Sequence, residues 1–119
     1  MDSIEITGGC LCGQVKYRVA GELQHATMCH CGNCRKASGA QSLAWVTFNS
    51  DGFSWEEEPA RYQSDTKAIW SFCSQCGTTL TYEHERRPDD IDITVGSLDD
   101  PEPFKPTRHY AEDEKLSWA

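Results

Sequence analysis

The chain contains seven cysteines, and they fall in three tight clusters: Cys10-Leu-Cys12, Cys29-His-Cys31-Gly-Asn-Cys34 and Cys73-Ser-Gln-Cys76. Two sulfurs one or two residues apart can be aimed at one ion, because the short loop between them leaves both on the same side. A disulfide framework would instead scatter an even number of cysteines through the chain, and here the number is odd. Met1-Asp2-Ser3-Ile4-Glu5 has neither the basic start nor the apolar run of a secretory leader, so a cytoplasmic, thiol-preserving setting is expected. The clusters therefore read as zinc ligands, with two ions per chain expected, and seven divides into four plus three. Four thiolates close a structural zinc site, whereas three leave a position open for chemistry.

The rest of the chain narrows the field further. With 119 residues, positions 1–119 form one domain with a small core, which a metal would help to hold. No apolar stretch approaches the ~20 residues of a membrane span, so no membrane association is expected. Eleven basic residues face nineteen acidic ones, for a formal charge of -8. Thiolates bound to zinc would make the chain more negative still. Such a surface repels phosphate backbones and argues against a nucleic-acid partner. The acidic runs at Glu56–Glu58, Asp89–Asp90, Asp99–Asp100 and Glu112–Glu114 read as solvated loops and ends.

Between the clusters the pattern is that of short strands cut by glycine, proline and acidic turns. Val15, Tyr17 and Val19 alternate with Lys16 and Arg18, the period of a half-buried strand. Leu43–Phe48 is rich in β-branched and aromatic residues, and Asn49-Ser50-Asp51-Gly52 turns it into Phe53–Trp55. Ile69–Phe72 runs into the third cluster and Thr78–Tyr82 leaves it, which predicts strand, zinc knuckle, strand. Ile91–Val95 alternates again. Only Arg35–Ser38 suggests a helical turn, and the tail is expected to be either disordered or pinned by Leu116 and Trp118. The fold class expected is mainly β, a small zinc-stabilised domain of short antiparallel strands and zinc knuckles.

Spacing alone leaves two ligand pairings open. One is a zinc ribbon of Cys31 and Cys34 with Cys73 and Cys76, leaving Cys10, Cys12 and Cys29 spare. The other joins Cys10 and Cys12 to Cys73 and Cys76 and frees Cys29, Cys31 and Cys34 for a second ion. The second is favoured because it uses all seven sulfurs, although either satisfies tetrahedral ligation.

Several longer motifs add to this. Gly8-Gly9-Cys10-Leu11-Cys12-Gly13-Gln14-Val15-Lys16-Tyr17, Cys29–Gly39 and Phe72–Leu80, followed by Gly96–Pro101, His109-Tyr110 and Trp118, resemble the family of glutathione-dependent formaldehyde-activating enzymes and centromere protein V. The likeness covers nearly the whole chain. It implies a β-tent fold, a structural zinc on Cys10, Cys12, Cys73 and Cys76, and a catalytic-type zinc on Cys29, Cys31 and Cys34. The chain departs from the pattern in lacking long insertions that could dress a glutathione pocket.

Zinc on three thiolates is a poorer Lewis acid than zinc on three neutral histidines, so hydrolysis by bound hydroxide is its less natural use. A soft sulfur suits the fourth position. A free thiol has a pKa of ~8.5, and coordination deprotonates it outright. The expected activity is that of a carbon–sulfur lyase, with a small thiol such as glutathione and a small aldehyde as partners. The resemblance implies formation and cleavage of S-(hydroxymethyl)glutathione. The competing reading is a non-enzymatic zinc-binding structural or interaction module, and a third is a redox-responsive cysteine protein. Near the open site, Arg35 and Lys36 could meet a substrate carboxylate or stand in solvent as turn residues. His30, between two ligands, points away from the metal by its offset but is the residue type tuned for proton transfer. Ser38 and Gly39 read as turn formers, His109 as the family's late histidine or a structural hydrogen-bond partner, and His25 and His84 as surface. Trp45, Trp55 and Trp70 read as core or pocket wall.

Overall fold

A computed structural model describes residues 3–119. The strands are β1 (Ile4–Gly9), β2 (Lys16–Gly21), β3 (His25–Cys29), β4 (Leu43–Asn49), β5 (Phe53–Trp55), β6 (Ala60–Gln63), β7 (Ala68–Phe72), β8 (Thr79–His84), β9 (Asp90–Thr94) and β10 (Arg108–Tyr110). One helix, α1 (Gly32–Ser38), follows β3. The domain is mainly β, as its sequence predicts.

The strands form two sheets. One has the order β1-β2-β5, and the other runs β10-β3-β4-β9-β8-β7-β6. Neighbours pair antiparallel except β10, which lies parallel to β3 through Arg108–Thr27, His109–Met28 and Tyr110–Cys29. A parallel neighbour needs a long crossover, and here residues after β9 return to the start of the sheet to provide it.

Register decides what the large sheet presents to each side. Ala26, Val46, Ile93, Thr81 and Ser71 stand in one row across five strands, and all are buried. Laterally paired residues share a face. That face packs against Val15, Tyr17 and Val19 of the small sheet's side to make the core. The adjacent row, one residue out of phase, places Cys29 beside Leu43 and Thr27 beside Trp45 on the opposite face. The large sheet thus separates an aliphatic core from a cluster of cysteines and aromatics made by Cys29, Cys34, Trp45 and Trp70.

Several elements depart from the expectations above. Strands β1, β3, β6 and β10 add to those expected: β6 and β10 are short and largely exposed and β3 runs directly into a cysteine loop, whereas in β1 Ile4 and Ile6 do alternate with Glu5 and Thr7. The helix is longer than an Arg35–Ser38 turn. The Cys31 sulfur caps its start, and Gly39 ends it at φ 75°, in the left-handed region that glycine enters without strain. The tail is not pinned by Trp118, which is 72% exposed. Instead Glu114 holds it, accepting the Gly32 N–H at 2.9 Å through its carboxylate and an Arg35 guanidinium N–H at 2.9 Å through its carbonyl. Among the described residues, no helix is long and apolar enough to cross a membrane.

Candidate metal centres

The end of β1 and the turn between β7 and β8 each form a knuckle, and the two knuckles meet. In the first, Val15 N–H donates to the Cys10 sulfur at 3.2 Å, and Gly13 turns the chain at φ 83°. In the second, Gln75 and Cys76 N–H groups donate to the Cys73 sulfur at 3.3 and 3.4 Å. Gly77, at φ 84°, closes the turn by donating to the Cys73 carbonyl at 2.8 Å. Amides aimed at sulfur stabilise the thiolate form that a metal requires.

The sulfurs of Cys10, Cys12, Cys73 and Cys76 all lie within 4.8 Å of one another. Cys10 and Cys12 are 3.6 Å apart, and Cys12 and Cys73 3.7 Å. Bonds of ~2.3 Å from zinc to sulfur place tetrahedral ligands ~3.8 Å apart, so this spacing fits zinc. The geometry also decides between the two pairings. The sulfurs of Cys31 and Cys34 belong to a different group, so the ribbon pairing is excluded. Sequence reasoning missed Thr78. Its hydroxyl accepts the Leu11 N–H at 3.1 Å and lies 3.2 Å from the Cys76 sulfur, joining the two knuckles. That hydroxyl is the main reason the Cys76 thiol falls from its ordinary 9.0 to about 5. A threonine two residues after a knuckle cysteine was the signal available.

Cys29, Cys31 and Cys34 form the second group, again within 4.8 Å. Cys29 ends β3, Cys31 caps α1 by accepting the Cys34 N–H at 3.3 Å, and Cys34 lies in the helix's first turn. The Cys34 S–H donates to the Cys29 sulfur at 3.2 Å. This bond is the chief cause of the fall of the Cys29 thiol to about 6, and it pushes the Cys34 thiol up. Burial pushes Cys31 up. One proton shared between two buried sulfurs is the arrangement a cation would replace. Three soft donors leave one position of a tetrahedron unfilled by cysteine.

Aromatic rings wall this group. Trp70 and Tyr82 meet edge to face at 4.9 Å, and Trp45 lies 6.0 Å from both. Trp55 packs instead against Tyr17 in the core. A cleft of about 520 Å³ adjoins this cluster, sharing Trp70 and Tyr82 with it and bounded by Lys36 of α1 and Tyr62 of β6, though none of the three cysteines lines it. Lys36 lines this cleft, whereas Arg35 does not: its guanidinium donates to the His30 carbonyl at 2.8 Å and holds the tail. His30 is buried, and its Nε2 shares a 3.0 Å hydrogen bond with His109 Nδ1. Ser38 donates to the Cys34 carbonyl at 2.7 Å and accepts the Ala40 N–H, the turn-forming role expected of it. His25 is exposed on β3, and His84 accepts the Arg86 N–H in a turn.

A Schizosaccharomyces pombe protein named as an uncharacterized lyase is 30% identical over 80 residues, which cover 67% of this chain. The aligned part spans 58% of that relative's length. A crystal structure of a Rhodobacter sphaeroides protein superposes with a TM-score of 0.69 at 24% identity, covering 87% of this chain and 99% of that one, a likeness of fold. The family model for the glutathione-dependent formaldehyde-activating enzyme matches residues 5–113, which takes in both sulfur groups and the strap that bears His109. With two cysteine clusters consistent with zinc sites and a match over nearly its whole length, the chain belongs to the glutathione-dependent formaldehyde-activating enzyme family.

Proposed function

We propose that this protein is a zinc-dependent carbon–sulfur lyase that makes and breaks adducts of a small thiol with a small aldehyde, formaldehyde and glutathione being the first pair to consider. The observation that carries this reading is the inequality of the two sulfur groups. Four cysteines complete one site, while three, beside a cleft, leave room for an exogenous sulfur. Family membership and the lyase name of the fission-yeast relative support the same class of reaction. A chemistry that depends on free thiolates also suits the reducing cytoplasm.

Zinc held by Cys29, Cys31 and Cys34 would supply a substrate sulfur in its thiolate form. In the forward direction that sulfur adds to the aldehyde carbon, and the carbonyl electron pair moves to oxygen, which takes up a proton. In reverse the hydroxyl loses its proton, the carbonyl re-forms and the carbon–sulfur bond breaks. The chain's own part is positional. The β3 terminus and the capped first turn of α1 fix the three sulfurs, and Trp45, Trp70 and Tyr82 exclude water from one side. Thiols add to formaldehyde unaided, so the acceleration required is modest and comes from orientation and proton handling.

Exchange spectroscopy on glutathione and formaldehyde at equilibrium tests this. Zinc-loaded wild type should speed interconversion above the buffer rate, and Cys31→Ser should not. A protein that accelerates no thiol and binds none in calorimetry would instead be a structural zinc module.

A further inference from the structure

We propose that the tail from Ala111 to Glu114 is a releasable clasp on the cysteine loop Cys29–Cys34, and that its undocking is the step that opens the three-sulfur group to exchange of its ion. The inference concerns how the site is opened, and it rests on the reading of that group as a zinc site, though not on the lyase reaction. Cys29 and Cys34 are each only 6% exposed, and none of the three cysteines lines the neighbouring cleft. Anything entering or leaving the group therefore needs a covering segment to move. The surrounding elements differ in what holds them. Trp45 and Trp70 are buried on the large sheet, and the far end of α1 is tied by the Thr79 hydroxyl donating to the Ala37 carbonyl at 2.8 Å. None of the described residues from 111 onward is buried, so the tail is held by polar contacts that water can replace. Segments held in that way open first.

The contacts of the tail converge on the ligand loop. β10 runs alongside β3, with Tyr110 paired to Cys29 and the Tyr110 carbonyl accepting the His30 N–H at 3.0 Å. Ala111 then turns the chain in the left-handed region, at φ 60° and ψ 45°, a conformation that is strained for a residue with a Cβ. The turn brings one 3₁₀ turn, Glu112–Glu114, back onto the first turn of α1. There the Glu114 carboxylate accepts the Gly32 N–H at 2.9 Å. Arg35 Nη1 donates both to the Glu114 carbonyl at 2.9 Å and to the His30 carbonyl at 2.8 Å, so one nitrogen fastens the tail to the start of the loop. Gly32 follows Cys31, Arg35 follows Cys34, and His30 separates Cys29 from Cys31. Each contact thus bears on the immediate neighbour of a ligand. Because Thr79 holds the far end of α1 independently, undocking frees only the first turn, where Cys31 and Cys34 sit. The strain at Ala111 favours release, and the Glu114 and Arg35 bonds oppose it.

The test mixes the zinc-loaded, full-length protein with excess pyridylazoresorcinol and follows release of the first ion by absorbance, with hydrogen exchange of the Gly32 amide measured alongside. Glu114→Ala should speed that release by about tenfold, the scale of one hydrogen bond to a charged acceptor. Ala111→Pro should do the same by another route, because proline holds φ at about −65° and the docked turn cannot form. The exposed carboxylate of Glu112 takes no part in the tie, so Glu112→Gln should leave the rate unchanged. The second ion should leave at the wild-type rate in every variant. Unchanged release in both clasp variants, equal acceleration by Glu112→Gln, or acceleration of both ions alike would overturn the clasp. So would a wild-type Gly32 amide as protected as those of β4, since the tie must open before the ion can leave. A purified chain that takes up one ion only would remove the zinc reading of the group separately. The clasp is then judged by iodoacetamide labelling of the empty cysteines at fixed pH, which Glu114→Ala and Ala111→Pro should both accelerate; equal labelling of wild type and variants overturns it.

Discussion

His30 and His109 are 79 positions apart, yet their rings stack at 11° and His30 Nε2 lies 3.0 Å from His109 Nδ1. The contact fixes both tautomers. His30 Nδ1 is buried and finds no partner among the described residues. A buried N–H without an acceptor costs more than a buried lone pair without a donor, so the His30 proton resides on Nε2 and donates to His109. His109, paired with Met28 across the sheet, thereby ties β10 to the residue that follows Cys29. Substituting His109→Phe keeps the ring but leaves that N–H unpaired, and should cost about 1–3 kcal/mol of stability by urea denaturation. A loss below about 0.5 kcal/mol would mean the contact does not hold the strap.

The four-sulfur site closes the chain from β1 to the β7–β8 turn, so folding should depend on its ion. Structural zinc contributes on the order of 10–16 kcal/mol to small metallo-domains, as much as or more than the ~5–15 kcal/mol net stability of a typical domain. Cys73→Ser removes a fully buried ligand that also accepts two amide hydrogen bonds. The variant should be insoluble or molten by circular dichroism. Wild-type melting with unchanged zinc content would refute the structural role.

Much of this arrangement was legible in the residues themselves, and the reasons differ by element. Cys-x-Cys and Cys-x-x-Cys spacing is a local constraint, so the ligand residues could be read without knowing the fold, whereas which knuckles share an ion is decided by the fold. Alternation exposed β2 and β9, where buried Tyr17 and Val19 and buried Ile91 and Ile93 are separated by less buried residues, while β4, buried on both faces from Trp45 to Phe48, showed itself by its β-branched and aromatic residues. The short edge strands β6 and β10 lack that contrast, since most of their side chains meet solvent. Partnerships across the chain, such as Thr78 with Leu11 or Glu114 with Gly32, depend on which knuckle or strap comes to lie beside which. No local pattern encodes them.

The three-sulfur group should bind its ion less tightly than the four-sulfur group, having one protein ligand fewer and a cleft beside it. Mild chelation followed by metal analysis should release one zinc and leave circular dichroism unchanged. Cys29→Ser should likewise lose one ion and stay folded. Loss of both ions together would show that the two sites are not independent.

Gly8 tests how closely the small sheet is drawn to the core. A Cβ there would lie 2.3 Å from the Tyr17 hydroxyl and 2.6 Å from the Ser97 carbonyl oxygen. The Tyr17 hydroxyl is held by Ser97 Oγ at 2.6 Å and has no room to move aside. Gly8→Ala should therefore cost about 1–3 kcal/mol through overpacking. Chemical denaturation of the zinc-loaded protein measures it, with Gly96→Ala, where a Cβ meets open space, as the mild control.

The shared proton of Cys29 and Cys34 makes the pH response of the emptied three-sulfur site distinctive. With only that site cleared by mild chelation, the Cys29 thiol ionises at about 6 instead of the ordinary 9.0, chiefly because the Cys34 S–H donates to it. Alkylation of the group by iodoacetamide should rise through that lower value. Stability follows the same group. Between about 6 and 9.0 the native state has released a proton that the unfolded chain still holds, so stability should increase with pH across that window. It should be lost as pH falls through about 6. Above the ordinary thiol value the sign reverses, because Cys34 keeps its proton in the native state while the unfolded chain gives it up. The Glu114 carboxylate opposes ionisation of Cys29 from the tail. Glu114→Gln should accordingly shift the alkylation midpoint further down, while Cys29→Ser should flatten the stability profile between about 6 and 9.0. A midpoint that stays near the ordinary thiol value in both wild type and Glu114→Gln would show that the Cys29–Cys34 bond does not govern the site.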